Sequence, residues 1–529
     1  MKKVLLILLL IIVSLVLLSS CTVESVAPDD SWESVFLQFW NAMNMEYVHF
    51  DNETDLDWDD VYDKYLPLFR ELDYSNREDS LKAFTYFKEI AINIDDGHYQ
   101  LTIVDNFNNS LYMSPSTERK WMAATESGNS NGFPDVIWNS SDPSLNMSVD
   151  GVKKIPADSG DITSFYETAI EGYSEVKKLI GSSYNTNPTE WGKFHSGTDF
   201  LSSIGYRFIS VEQEDPEVKL TDEELAWNSF LDSFGIGGFS YYYGVTSDHI
   251  FYFYFSSFIE YSGTPLSNGE IYKKGLTDEE IAKLSPDSQT AYKALWKSSC
   301  GYDYSSYVPY IEGIYNMFEA LKSIGKTGKC KIKDSSGNVT ECDVTGVIMD
   351  VRGNGGGDNT TLETIFGAFF EDETKYAETR YKEGYNRYEY SPWMDLTIEK
   401  KYCTAEKDYE NPFVIITNGY SVSCSELSAS IVKNLMKNGI VVGGTTYGAT
   451  CTIARRALYG SGNFSSKNVR ILMTSFETNL RTKDGSYASF EVKGITPTDG
   501  QDVSVDSKYA SDARFEAAVR VAKGESSST

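Results

Sequence analysis

The chain has 529 residues, 41% hydrophobic and 14% aromatic, enough for several buried cores and too apolar for a disordered protein. Its formal net charge of −30 is spread along the sequence. That speaks against a nucleic-acid partner, which rewards basic patches.

The first residues read "MKKVLLILLLIIVSLVLLSSC". Two lysines before a long apolar run have the layout of a secretory signal. A plain transmembrane anchor is the other reading, because the run is nearly long enough to span a bilayer. The ending Leu18-Ser19-Ser20-Cys21 resembles the lipobox of bacterial lipoproteins. The resemblance implies cleavage before Cys21, a diacylglyceryl group on its sulfur, and an exported protein of the cell envelope, lipid-anchored to a bacterial membrane. Residues 1–20 are then a signal peptide and residues 21–30 a polar linker.

Residues 31–104 are expected to form an N-terminal helical domain. Trp32, Phe36, Phe39, Trp40 and Met43 follow helical spacing. "WDDVYDKYLPLFREL" opens on acidic residues that suit a helix N-terminus. A third helix runs from about Asn76 to Ile92, with Leu81, Phe84, Phe87 and Ile90 on one face. A small helical bundle is the simplest packing. The pattern stops at Asp95-Asp96-Gly97, and a β-rich stretch follows, so His98 sits at a helix-to-strand junction.

Residues 105–205 are rich in Ser, Asn, Asp and Gly with weak periodicity, and read as an irregular insertion or a diverged domain. From 206 to 260, "YRFISV" and "IFYFYFSSFI" read as strands. From about 307 helices and short apolar strands alternate: "YIEGIYNMFEALKSIG", "VTGVIMDVR", "TTLETIFGAFFED", "PFVIITN", "SELSASIVKNL", "GIVVGG". This predicts an α/β layer structure with some parallel pairing, within an α+β multidomain chain. Residues 206–520 are assigned to that core, and 521–529 to a disordered tail.

Besides Cys21 there are six cysteines: Cys300, Cys330, Cys342, Cys403, Cys424 and Cys451. Cys330 and Cys342 flank a strand-turn-strand pattern and could face each other, as a disulfide or simply as a cross-strand pair. No cysteine–histidine spacing suggests zinc, and no metal or organic cofactor is implied.

Two stretches carry candidate chemistry. In "IMDVRGNGGGDN" a strand runs into a glycine turn before a helix. Glycines there allow positive φ and let N–H groups point at an anion. The turn could be structural, a phosphate cradle or an oxyanion hole; the phosphate reading lacks the Lys-Ser/Thr that closes a P-loop. In "FVIITNGYSVSCSELSASIVKNL" a strand ends near Asn418 and a helix begins near Ser425. Ser423 lies in the turn between them, where a nucleophile is exposed and the following N–H groups can hold an oxyanion. Ser425 is a plausible N-cap. All these serines could also be caps and turns. A serine nucleophile needs a base. Of His49, His98, His195 and His249, only His98 stands at an element boundary.

The order "DGH", "DVRGNGGG", "SVSCSE", "GGTTYG", "FEVKGITPTD" resembles the C-terminal processing and tricorn-core family of serine peptidases. The resemblance implies a crotonase-like or ClpP-like α/β core and endopeptidase activity on protein or peptide substrates. It matches Ser423 to the nucleophile, and the Cys424 N–H and a glycine of Gly355-Gly356 to the oxyanion hole. Ala449 stands where the serine–lysine members carry their lysine, and Lys433 and Lys437 lie on the helix. The histidine-using branch is therefore implied, with His98 as base and Glu491 orienting it. Gly97 replaces the serine that bridges the histidine in tricorn-like members. The family's carboxylate-binding PDZ loop is not recognisable. Two other classes stay open: an inactive peptidase-fold lipoprotein that binds peptides or glycans at the cell surface, and an acyl-transfer or acyl-CoA enzyme with a similar oxyanion hole.

Overall fold

Local sequence rules set the first helices. A computed structural model describes residues 30–53, 56–126, 195–196, 241–246, 248–255, 257–258, 282–283, 308–333, 339–384, 386–453, 462–503 and 513–525. Helices α1 (Trp32–Glu46), α2 (Trp58–Arg70) and α3 (Arg77–Ala91) each start behind a side-chain cap. Ser31 Oγ accepts the Ser34 N–H at 3.1 Å, Asp57 accepts from Asp59 and Asp60, and Asn76 accepts the Glu78 N–H at 2.8 Å. Their apolar stripes do not close on one another alone. Trp32, Phe36, Phe39, Phe69, Phe84 and Phe87 share one core with strands from both ends of the chain.

Those strands belong to a four-stranded antiparallel sheet. Hairpin β1 (Gln100–Val104) and β2 (Ser110–Met113) runs directly into α4 (Pro115–Glu126). The segment 105–126 is thus regular, contrary to the irregular region expected from its composition. The alternation of Leu101 and Ile103 with polar neighbours buries one face of β1.

The main sheet follows in sequence: β3 (His195–Ser196), β4 (Tyr241–Val245), β5 (Ile250–Phe255), then α5 (Val308–Thr327) and the hairpin β6 (Lys329–Lys333)–β7 (Val339–Asp343). After these come β8 (Gly346–Asp350), α6 (Asn359–Gly367), β9 (Thr374–Tyr381), β10 (Met394–Ile398), β11 (Phe413–Thr417), α7 (Cys424–Leu435) and β12 (Gly439–Gly443). The C-terminal part holds β13 (Asn463–Ser465), β14 (Val469–Leu472), β15 (Phe476–Arg481), β16 (Tyr487–Ala488) and α8 (Ala513–Ala522). The first sheet has the order β13-β14-β1-β2. The central six-stranded sheet has the order β12-β11-β8-β5-β4-β3. Its β12, β11, β8 and β5 pair in parallel, and β4 and β3 add antiparallel. A further sheet has the order β10-β9-β15-β16.

The parallel strands read as unbroken apolar runs because both faces are covered. Val347, Met349, Phe413, Ile415 and Val441 face α5, α6 and α7. Ile348, Val414, Ile416 and Val442 face Phe515, Ala518 and Ala522 of α8. The α/β expectation holds. Helix α8 extends to Ala522, one residue past the boundary at which a tail was expected to begin. Cys330 and Cys342 are opposite each other across β6–β7, and both are free thiols. The signal peptide, Cys21, Cys300, "YRFISV", most of 127–240 and residues 526–529 lie outside the described residues. Among the described residues, no helix is long and apolar enough to cross a membrane.

At the end of β8 the chain makes an ion pair with no exposure to solvent. Arg352 donates to both carboxylate oxygens of Asp350, and Tyr252 Oη–H donates to the same carboxylate at 2.9 Å. The pair anchors the start of the glycine turn.

Candidate active site

Strand β11 delivers the turn that carries Ser423. Asn418 and Ser421 shape it: the Asn418 N–H donates to Ser421 Oγ at 3.1 Å, and Ser421 Oγ–H donates to Val351 O at 2.8 Å. Ser425 Oγ–H donates to Asn354 O at 2.9 Å, and Ser428 Oγ–H to Cys424 O at 2.7 Å. These hydroxyls hold backbone and are buried; Ser423 is the half-exposed serine of the turn. The N-cap is Ser423 and not Ser425, as the spacing Ser423-x-x-Glu426 of a capping box already implied. Its backbone has φ 57° and ψ −118°, a strained conformation for a residue with a Cβ. Such strain concentrates where a side chain must be aimed, and here it presents a hydroxyl at a helix N-terminus.

The glycine turn faces that hydroxyl. A Cβ on Gly356 would lie 2.6 Å from Ser423 Cβ and 3.0 Å from Cys424 N, so only glycine permits this approach at its φ of 88°. Asn354 joins the two loops. Its Nδ2 donates to Phe255 O at 2.7 Å, its Oδ1 accepts the Gly356 N–H at 2.8 Å, and its carbonyl accepts the Val422 N–H at 3.0 Å. The Gly356 N–H is therefore engaged. Of the expected oxyanion donors, Gly355 and Cys424 are the two whose N–H groups have no acceptor among the described residues. Cys424 Sγ–H donates to Gly357 O and Asn359 Oδ1, and burial pushes its thiol up to about 12. A thiol so held is no nucleophile. Cys424→Ala is expected to keep most of any hydrolytic activity; a loss as deep as that of Ser423→Ala in the same assay would transfer the nucleophile to sulfur.

His98 and Glu491 come to the same place from opposite ends of the chain. Asp96 Oδ1 accepts the His98 N–H at 2.8 Å and the Thr474 hydroxyl at 2.8 Å, which fixes the start of β1. A ring nitrogen of His98 and oxygens of Asp96 and Glu491 lie within 4.8 Å of one another. His98 Nδ1 is buried without a hydrogen bond, so the imidazole–carboxylate bond is poised and not closed. Glu491 is held firmly. Its Oε1 accepts the Gly97 N–H at 2.8 Å, and its Oε2 accepts from Thr450 N, Thr450 Oγ1 and Cys451 N. Val492, next in sequence, has φ 64°, a second strained non-glycine residue. Gly97 has no room for a side chain: a Cβ there would meet Gly448 O at 2.4 Å and Ala449 Cα at 2.7 Å. The bridging serine expected of tricorn-like relatives is thus excluded by the close approach of 448–449.

The structure also supplies what sequence reading missed. Glu426 Oε1 accepts from Thr446 Oγ1 and Gly448 N, and its Oε2 from Ala449 N and Ser423 N, at 2.6–3.0 Å. One buried carboxylate so ties the serine turn to the segment against Gly97. Lys120, 5% exposed on α4, sits with Nζ 3.8 Å from the centroid of the Tyr447 ring. Burial lowers its pKa, and attraction to Glu426 and then Glu491 opposes that. Lys433, by contrast, donates to Thr496 and Pro497 carbonyls away from the turn. Helix α4 is clamped to the histidine segment by Arg119, which donates to Asp95 Oδ1 at 2.6 Å and Ile94 O at 3.0 Å. No lysine stands near Ser423 in sequence, but the fold brings one beside Glu426. The run Glu118-Arg119-Lys120 was the available signal: its three charges are all buried, which composition alone cannot show.

A strained serine on a strand-to-helix turn thus has a glycine turn against it, and Glu426 ties that turn to the 446–449 segment that packs on Gly97, next to His98. Residues 319–499 match the sequence profile of peptidase family S41. The family likeness read from the ordered motifs is thereby borne out. No curated protein matches the chain. Among solved structures, a candidate peptidase from Parabacteroides merdae is 16% identical, with 93% of this chain and 97% of that chain covered and a TM-score of 0.44. Mature CPAF complexed with lactacystin is 9% identical, with 88% and 92% covered and a TM-score of 0.40. A lipoprotein from Streptococcus agalactiae is 15% identical, with 52% and 68% covered and a TM-score of 0.26.

Proposed function

We propose that the protein is a lipid-anchored serine endopeptidase of the cell envelope, cleaving protein or peptide substrates through an acyl-enzyme on Ser423. The observation that carries this reading is the strained Ser423 backbone with Gly356 against it. Attack by Oγ on a scissile carbonyl forms a tetrahedral oxyanion, which the Cys424 and Gly355 N–H groups would receive. His98 takes the Oγ proton and returns it to the leaving amine, and Glu491 orients the imidazole. The crotonase-like or ClpP-like description of the core and the separate N-terminal helical domain belong to the same proposal. A fluorophosphonate probe tests it: labelling of the intact protein at Ser423, lost in Ser423→Ala, is expected. Absence of labelling with the fold intact would favour a binding protein.

Lys120 motivates a second reading of the base. A buried amine beside Glu426, whose carboxylate accepts the Ser423 N–H, could serve in place of His98. The anchor rests on "LSSC" alone. Cys21→Ala is expected to abolish metabolic lipid labelling; labelling at the normal level would overturn the anchor.

A further inference from the structure

Beside the candidate triad, and sharing Glu491 with it, lies a buried cluster whose other two members peptide hydrolysis does not use. A ring nitrogen of His49, Cys451 Sγ and a Glu491 oxygen lie within 4.8 Å of one another. His49 is 2% exposed, Cys451 2% and Glu491 9%. His49 Nε2 is buried with no hydrogen-bond partner. A buried imidazole nitrogen without a partner is costly, and a ligand atom is one of the few things that would satisfy it. Glu491 Oε1 accepts only the Gly97 N–H among the described residues, so one lone pair remains open. The surroundings favour a cation. Asp96, Glu426 and Glu491 are buried carboxylates, with Asp96 beside Glu491, and the buried cations near them are Lys120 and Arg119, the latter bonded to Asp95.

We propose that His49, Cys451 and Glu491 form a site for a borderline-soft divalent cation of the zinc type. One imidazole, one thiolate and one carboxylate make a three-ligand set that suits such an ion, with a fourth position for water. Around a tetrahedral ion these atoms sit roughly 3.3–3.6 Å apart, so from within 4.8 Å of one another the cluster closes by about 1.5 Å at most. On binding, the Cys451 S–H bond breaks, the sulfur electron pair bonds to the metal, and the proton passes to solvent. The thiolate and carboxylate charges then cancel those of the ion, so the buried site ends neutral. The Asp96–His98–Glu491 cluster is the weaker candidate, because Asp96 already accepts from His98 N, Thr474 N and Thr474 Oγ1. The shared ligand has a consequence that rests on the proposed triad: metal on Glu491 takes the lone pair that His98 needs, so zinc inhibits hydrolysis.

Cobalt(II) titration of the full reduced chain tests the site without any activity assay. The expected result is one equivalent of cobalt bound, with the thiolate-to-cobalt charge-transfer absorption. The band should disappear in Cys451→Ser and in His49→Ala, and persist in the Cys330→Ser/Cys342→Ser double variant. Zinc should displace the cobalt and raise the thermal midpoint of the wild type but not of Cys451→Ser. A chain that gives no band, or a band that survives Cys451→Ser or His49→Ala, overturns the site. If the band appears but zinc leaves peptidase activity unchanged, the metal site stands and its link to the triad falls.

Discussion

Ser423→Ala is expected to lower kcat by a factor on the order of 10⁴ or more, with little change in fold or in substrate binding. The residue makes its own contribution only through Oγ: the neighbouring hydroxyls of Ser421, Ser425 and Ser428 are committed to backbone carbonyls. Ser421→Ala should therefore reduce stability more than chemistry. Ser423→Gly adds a physical check. Its φ of 57° and ψ of −118° suit glycine, so this variant should be equally inactive yet more stable by about 1 kcal/mol, strain relief exceeding the added unfolded-state entropy. Denaturant midpoints of the wild type, Ser423→Ala and Ser423→Gly would measure it. Retained hydrolysis in Ser423→Ala would end the serine-peptidase reading.

His98→Ala is expected to cost kcat orders of magnitude, and the double variant with Ser423→Ala little more than either change alone, because the two groups act as one unit. Glu491→Gln should cost less, since it orients the base without exchanging protons with substrate. Lys120→Met decides between the two candidate bases. If His98 is the base, Lys120→Met keeps most activity at a shape-compatible site. If Lys120 is the base, its loss is as deep as that of Ser423, and His98→Ala keeps activity. The pH profile separates them independently. A base works when deprotonated, so activity rises with pH through its titration. Burial moves a Lys120 limb below that of an ordinary lysine, and Glu426 and Glu491 pull it back up, leaving it on the alkaline side.

Much of the architecture was legible because it is written locally. Helix caps at Ser31, Asp57 and Asn76 and the aromatic stripes of α1 and α3 are contained within a few turns of chain. The apolar runs of β8 and β11 announce a doubly covered parallel sheet for the same reason. Composition misled at 105–126, where polar residues fill a hairpin and a helix whose charges are buried by contacts far away. The Ser425 cap failed because two serines two residues apart compete for one role, and Asn354 decides which is taken.

By itself the sequence determined the elements, the strand-to-helix turn bearing Ser423, the glycine turn, and the junction bearing His98. Only the tertiary structure decided how they meet. The Gly97–Glu491 hydrogen bond joins residues 394 positions apart, and the Thr117–Tyr447 bond that seats α4 spans 330. Periodicity and capping report on neighbours within a turn or a strand, so they carry no information about such pairs. That is why Lys120, His49 and Cys451 were silent in the sequence. Burial, set by the packing of α4 and of the segment 446–451 against the start of β1, is what gives Lys120 its place near Glu426 and Glu491, and His49 and Cys451 theirs beside Glu491.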